Sequence, residues 1–190
     1  MHEYDQIADW YCSVRNAEVG LAEVETLAQL LTPGARVLDL GCGDGVPISR
    51  FLIGKGFDVL GLDSSSGMIA RYRANFPHIP TRCLPAQDAE FVAGSFDAVV
   101  AWGVLFHLRG AEQAAVIARV ATWLAPGGKF LFTSGDVKET AENTMEGVAF
   151  RYVSLGAHQY REMLEAAGMH LVKEHADNWE NYVYLAQKVA

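Results

Sequence analysis

Val37-Leu-Asp-Leu-Gly-Cys-Gly-Asp-Gly-Val-Pro47 is the stretch whose reading decides the fold. An apolar run carries Asp39, and glycines then stand at positions 41, 43 and 45. Glycine has no Cβ and tolerates positive φ, so such a loop turns sharply and lets backbone approach a ligand. The run before it reads as a short buried strand over residues 35–40. Two ligand chemistries compete for the loop: the pyrophosphate of a dinucleotide, or a group that carries positive charge.

Outward from this stretch, strands and helices alternate. Upstream, Val19, Leu21, Val24, Leu27, Leu30 and Leu31 fall at helical spacing over residues 17–31, and the pattern stops at Thr32-Pro-Gly34. Downstream the spacing predicts a helix over 45–56 and a strand over 57–62. A further helix starts from Asp63 or the serines 64–66 and runs to about Asn75. A weakly signalled strand over 79–84 is broken by Pro77, Pro80 and Pro85. A buried strand over 96–102, a helix over 111–124 and a strand over 129–134 follow. This alternation predicts an α/β fold with a doubly wound, mainly parallel sheet, in which ligands bind at the carboxyl ends of the strands.

Residues 135–156 are polar and lack firm periodicity, which predicts a loop or lid over a substrate site. A helix over 158–167 leads to two β-rich runs, 169–176 and 182–188, separated by Asp177-Asn-Trp-Glu180. Those runs predict a C-terminal antiparallel hairpin, and therefore a mixed sheet. No repeat or linker divides the chain, so one domain over residues 1–190 is expected.

Composition narrows the function. The 190 residues are 51% hydrophobic and 20% charged, in the range of soluble globular proteins. The net charge of −8, with no basic cluster longer than Arg71-Tyr-Arg73, argues against nucleic acid as a partner. Cys12, Cys42 and Cys83 form no C-x-x-C pair, so neither a disulfide framework nor a metal site is indicated. The acidic Met1-His-Glu-Tyr-Asp5 lacks the features of a secretory signal and no apolar run reaches membrane-spanning length, so a cytoplasmic protein is expected.

The dinucleotide fingerprint G-x-G-x-x-G would need a glycine at position 46, which is Val46. Asp39, two residues before the first glycine, is a poor neighbour for pyrophosphate and a good one for a cation. Asp63, at the end of the second strand, is placed for ribose hydroxyls. A ribose without phosphate, and positive charge near the loop, are features of S-adenosylmethionine.

Five elements carry a resemblance. Asp39-Leu-Gly-Cys-Gly-Asp-Gly45, Gly61-Leu-Asp-Ser-Ser-Ser-Gly-Met68 and Gln87-Asp-Ala89 resemble, in order, the first motifs of class I S-adenosylmethionine-dependent methyltransferases of small-molecule type. Phe96–Trp102 with Leu105-Phe-His-Leu108, and Leu124-Ala-Pro-Gly-Gly-Lys-Phe130, resemble their fourth strand and the turn into the fifth. The resemblance implies a Rossmann-like seven-stranded mixed sheet. It divides the chain into an N-terminal helical lid (1–31), a cofactor-binding core (35–134), a substrate loop (135–156) and a C-terminal helix with hairpin (157–190).

It also implies roles. Asp39, Gly41, Cys42 and Gly43 would meet the methionine part of the cofactor. Asp63 and Ser64 would hold the ribose, and Met68, Gln87, Asp88 and Ala89 the adenine. Tyr11 and Trp102 would complete the cofactor pocket. Tyr4, Phe106, Tyr152, His158 and Trp179 would face the acceptor, with Met145 and Phe150 as further pocket residues. His107 would act either as a general base or as a wall of the pocket. The implied activity is methyl transfer to O, N or S of a small molecule. The alternatives are a non-catalytic S-adenosylmethionine-binding protein and a protein or RNA methyltransferase.

Overall fold

The computed structural model describes residues 3–190, so the first two residues of the expected lid lie outside it. Strands β1 (Arg36–Leu40), β2 (Asp58–Asp63), β3 (Thr81–Cys83), β4 (Phe96–Ala101) and β5 (Leu124–Ser134) run parallel. Two further pairs, β6 (Lys138–Met145) with β7 (Val148–Leu155) and β8 (Met169–Ala176) with β9 (Tyr182–Lys188), are antiparallel. The main sheet has seven strands in the order β3-β2-β1-β4-β5-β9-β8, and β9 is antiparallel to β5. The mixed doubly wound sheet with its C-terminal hairpin is therefore as the sequence predicts. Strand order reverses between β1 and β4, and the glycine loop leaves β1 at that reversal, where α/β sheets bind ligands.

Among the described residues six α-helices accompany the strands: α1 (Glu3–Val14), α2 (Leu21–Ala28), α3 (Ile48–Gly54), α4 (Ser66–Asn75), α5 (Gly110–Trp123) and α6 (Ala157–Ala166). Side-chain alternation along the strands splits the core into two layers. Val37, Val59, Ala98, Val100 and Leu131 pack with Val24 and Leu27 of α2 and Leu52 of α3. Leu38, Leu40, Val99, Phe130 and Phe132 pack with Val116, Ile117 and Val120 of α5 and Leu164 of α6. Each such aliphatic or aromatic side chain contributes on the order of 2 kcal/mol when fully buried. Among the described residues no helix is long and apolar enough to cross a membrane.

Three expectations are corrected. The helix expected over 17–31 is confined to Leu21–Ala28, because Gly20 enters it with φ at 83°. The helix expected from residue 45 starts at Ile48, because Gly45 still belongs to the turn with φ at 84°. Residues 135–156 are not an unpatterned loop. They form the β6–β7 hairpin outside the main sheet, closed by Glu146 and Gly147, both at positive φ. All but the last residue of β6 is exposed, so neither face needed to be apolar and no alternation arose.

Candidate functional site

The glycine loop folds as a series of left-handed residues, with φ at 77° for Gly41, 54° for Gly43 and 84° for Gly45. Gly41 and Cys42 donate their backbone N–H groups to Leu62 O at 2.6 and 3.0 Å, which stitches the loop to the end of β2. Asp63 adds a second tie. Its Oδ2 accepts from Gly43 N at 2.9 Å and its Oδ1 from Ser65 N at 2.8 Å. A Cβ on Gly41 would come within 2.1 Å of Val104 Cγ2, and one on Gly45 would meet the Phe76 and Tyr72 rings. A Cβ on Gly43 would find only Arg15 Nη1, at 3.9 Å. Gly41 and Gly45 are thus held by packing, whereas Gly43 borders open space.

That space is a cavity of about 360 Å³, within the range of roughly 300–1,000 Å³ typical of small-molecule sites. The loop and the ends of β2 and β3 contribute Gly41, Gly43, Asp63, Ser64, Met68, Ala86 and Gln87. Helix α1, the exit of β4 and the hairpin contribute Tyr4, Tyr11, Trp102, Phe106, His107, Met145 and Tyr152. Arg15 also lines it. Burial pushes the Asp63 carboxyl up, and the N–H groups of Ser65 and Gly43 oppose that push. Each of its oxygens accepts one backbone N–H and retains capacity for another donor. The walls therefore offer a carboxylate for a diol, a guanidinium for an acid and apolar faces for a base, which suits S-adenosylmethionine. Among the described residues no group of three or more His, Cys, Asp or Glu could hold a metal ion.

Residues 37–128 match the family model described as a methyltransferase domain. The fold is that of class I S-adenosylmethionine-dependent methyltransferases. A ubiquinone biosynthesis O-methyltransferase of Xanthomonas axonopodis pv. citri is 32% identical over 149 residues, covering 74% of this chain and 61% of the relative. Among solved structures, the CcbJ methyltransferase of Streptomyces caelestis aligns over 100% of this chain and 99% of its own, with a TM-score of 0.83 at 20% identity. The 1,6-didemethyltoxoflavin-N1-methyltransferase of Burkholderia thailandensis, solved with its substrate and S-adenosylhomocysteine, aligns over 99% of this chain and 84% of its own, with a TM-score of 0.76 at 19% identity. The chain spans between 46% and 61% of the length of the first curated methyltransferases it matches.

Most of the residues expected from the methyltransferase motifs meet at the cavity, but seven do not. Asp39 is only 2% exposed and lies behind the loop, where its Oδ2 accepts from Ser49 Oγ at 2.6 Å. The cause is strand alternation, which sends Asp39 to the α3 side with Val37. Cys42 is buried against Ile69 and Tyr72 instead. The short turn Ala86–Asp88 directs Ala86 and Gln87 inward, leaving Asp88 exposed and Ala89 in the core. His158 projects to solvent from the first turn of α6, its side chain 85% exposed beside Glu162. Trp179, 43% exposed, caps the β8–β9 turn. Phe150 is buried behind the wall, against Tyr4 and His107. The motifs did not signal Arg15 or Asn181, which do line the cavity. Arg15 could have been found from periodicity, since Tyr4, Tyr11 and Arg15 share one face of α1 and its last turn.

His107 sits among Tyr4, Phe106 and Tyr152, with ring centroids 5.6, 4.8 and 5.1 Å away. The Tyr4 hydroxyl lies 3.3 Å from His107 Nε2, and the ring is also hydrogen-bonded to the Arg151 backbone. Burial pulls the imidazole down to about 4 and pushes the Tyr4 phenol far above its ordinary value. At neutral pH the imidazole is therefore uncharged, and the Tyr4 hydroxyl and Nε2 form a hydrogen bond whose direction follows the tautomer.

Proposed function

We propose that this protein transfers a methyl group from S-adenosylmethionine to an O, N or S atom of a small-molecule acceptor by in-line displacement. The observation that carries the reading is Asp63, a half-buried carboxylate that joins the glycine loop to the start of α4 and borders the cavity with acceptor capacity to spare. Asp63 would hold the ribose hydroxyls, and Gly43 would leave room for the methionine part beside Arg15. Met68, Ala86 and Gln87 would border the adenine, with Tyr11 and Trp102 completing the enclosure. The bound cofactor supplies a methyl group already activated by its sulfonium. What remains for the protein is to align a nucleophile and exclude water.

Tyr4, Phe106, His107 and Tyr152 serve that purpose as an aromatic wall. Because His107 is neutral and occupied by Tyr4 and the Arg151 backbone, it acts by holding Tyr4 in place more than by taking a proton. The matching nucleophile has a lone pair available near neutral pH, such as an amine, a phenolate or a thiolate. Helix α1 would be the lid and the β6–β7 hairpin the substrate cover. The small-molecule reading draws support from the ubiquinone-pathway and toxoflavin methyltransferases.

The test is calorimetric titration of wild type and Asp63→Ala with S-adenosylmethionine, S-adenosylhomocysteine and NADH. The first two should bind wild type, and the variant should bind them at least about tenfold more weakly, as expected when a hydrogen-bonding partner is removed. Binding of NADH alone would overturn the proposal.

A further inference from the structure

The cavity already described adjoins another. A second cavity, of about 330 Å³, shares Phe106, Tyr152 and Asn181 with it. This second chamber runs between the exit of β5, the β6–β7 hairpin and the β8–β9 turn, with walls that include Ser134, Ser154 and Tyr182.

Asn181 stands at the junction with its amide orientation fixed. Its Nδ2 donates to Asp177 Oδ2 at 2.8 Å, and its backbone N–H donates to Asp177 Oδ1 at 2.8 Å. The opposite flip would press the amide oxygen against that carboxylate, so the NH2 group belongs on the Asp177 side. Both side-chain bonds of Asn181 use its Nδ2, to Asp177 Oδ2 and Trp179 O, so Oδ1 is the acceptor this residue can offer where it lines the two cavities. Beside it, the Phe106 and Tyr152 rings lie 5.7 Å apart and form an apolar wall. Beyond it the second chamber is lined by Asp136, Glu139 and Glu180, and its lining includes no lysine or arginine.

We infer that the acceptor is an elongated molecule that passes through the Phe106–Tyr152–Asn181 junction, offers an N–H or O–H donor to Asn181 Oδ1, and carries a neutral or cationic group, not an anionic one, in the second chamber. The inference rests on the methyltransferase reading above and adds the acceptor's shape and charge. A donor beside the methylated atom meets the one side-chain acceptor whose direction the turn dictates. An anionic end would meet three solvent-exposed carboxylates with no cation in the lining to offset them. The apolar middle of the acceptor would rest on the two rings.

The experiment uses the protein saturated with S-adenosylhomocysteine and three phenols of matched length: tyramine, tyrosol and 4-hydroxyphenylacetate. Their far ends are cationic, neutral and anionic, and binding is followed by NMR titration. Tyramine and tyrosol should bind, and 4-hydroxyphenylacetate should be weaker by about tenfold or more, the scale of like-charge discrimination. Asn181→Leu should weaken tyramine and tyrosol by about tenfold and S-adenosylhomocysteine by much less. The double variant Glu139→Gln, Glu180→Gln should bring 4-hydroxyphenylacetate close to tyrosol. Equal binding of the three probes, binding of none, or indifference to Asn181→Leu would overturn the inference. If S-adenosylhomocysteine itself fails to bind wild type, the cofactor reading falls and this one with it, so the first titration separates the two failures.

Discussion

At the scale of single residues, two buried ionisable groups near the cavity pull stability in opposite directions. Burial raises Asp39 to about 6, although Ser49 Oγ donates to it at 2.6 Å and is itself held by the Tyr72 hydroxyl at 2.8 Å. Burial lowers His107 to about 4. For His107 the unfolded chain takes up a proton below about 6.5 while the folded chain does not, so its contribution is lost as pH falls from 6.5 towards 4. Asp39 has the opposite sign, because its carboxyl is protonated in the folded state first. Its contribution is present below 3.8 and is lost as pH rises through 6. The two nearly offset each other between pH 4 and 6.5, and removing one exposes the other. His107→Gln should therefore gain stability relative to wild type on going from pH 7 to pH 4, by on the order of 3 kcal/mol. Urea unfolding of both proteins at pH 7, 5.5 and 4 measures the difference. A gap that stays constant with pH would show that His107 is protonated as readily in the folded protein as in the unfolded one.

At the scale of elements, the β6–β7 hairpin depends on one glutamine. Gln113 of α5 is fully buried, and its Nε2 donates to Leu108 O at 2.9 Å and to Val153 O at 2.8 Å. Its Oε1 accepts from the Tyr160 hydroxyl at 2.7 Å, and Tyr160 in turn contacts Ser134 and Leu155 N. One side chain thus connects the exit of β4, where His107 sits, to the strand that carries Phe150 and Tyr152. Gln113→Leu leaves two carbonyls and a hydroxyl short of a partner, which should cost about 2–4 kcal/mol. Acceptor binding should fall with it, while S-adenosylhomocysteine affinity changes little. Thermal melts paired with titrations of both ligands check this, and equal loss of the two affinities would sink it. The hairpin is also where the sequence was least legible. Residues 35–134 could be read because buried strands must be apolar and their turns need glycine or proline. In the hairpin, Val148, Phe150 and Tyr152 alternate with Ala149 and Arg151, but β6 opposite them is Lys-Glu-Thr-Ala-Glu-Asn-Thr, and a strand exposed on both faces has no period to detect. Asp39 shows the converse. Its motif pointed to the ligand, whereas the parity of the strand, also in the sequence, pointed to α3.

At the scale of the whole molecule, α1 joins parts far apart in sequence. One side of it faces α4: Asp5 Oδ1 accepts from Ser65 Oγ at 2.6 Å and from Gly67 N at 2.9 Å, and Asp9 pairs with Arg71. Two carboxylates four residues apart therefore anchor one flank of α1, the first of them at the positive N-terminus of α4. The other side carries Tyr4 and Tyr11 to the cavity, and Tyr4 packs on Phe150 of the hairpin with centroids 5.0 Å apart. Helix α1 thus spans the cavity from α4 to β7, and moving it is the direct way out for a ligand held behind Tyr4, Tyr11 and Arg15. For residues 1–31 a lid is what the family resemblance implies. The acidic flank supplies a physical reason for closure that can be weakened without touching the cavity. Asp5→Ala removes the carboxylate from the α4 N-terminus at a cost of about 1 kcal/mol. If α1 is the gate, that cost appears in opening, and S-adenosylhomocysteine should dissociate about fivefold faster from the variant. Amide exchange should speed up in α1 while β1, β4 and β5 keep their protection, since the strands do not depend on Asp5. Stopped-flow displacement and hydrogen exchange on the two proteins decide the matter. Unchanged dissociation alongside faster exchange in α1 would mean that the ligand leaves by another route, the second chamber beneath the hairpin being the open path.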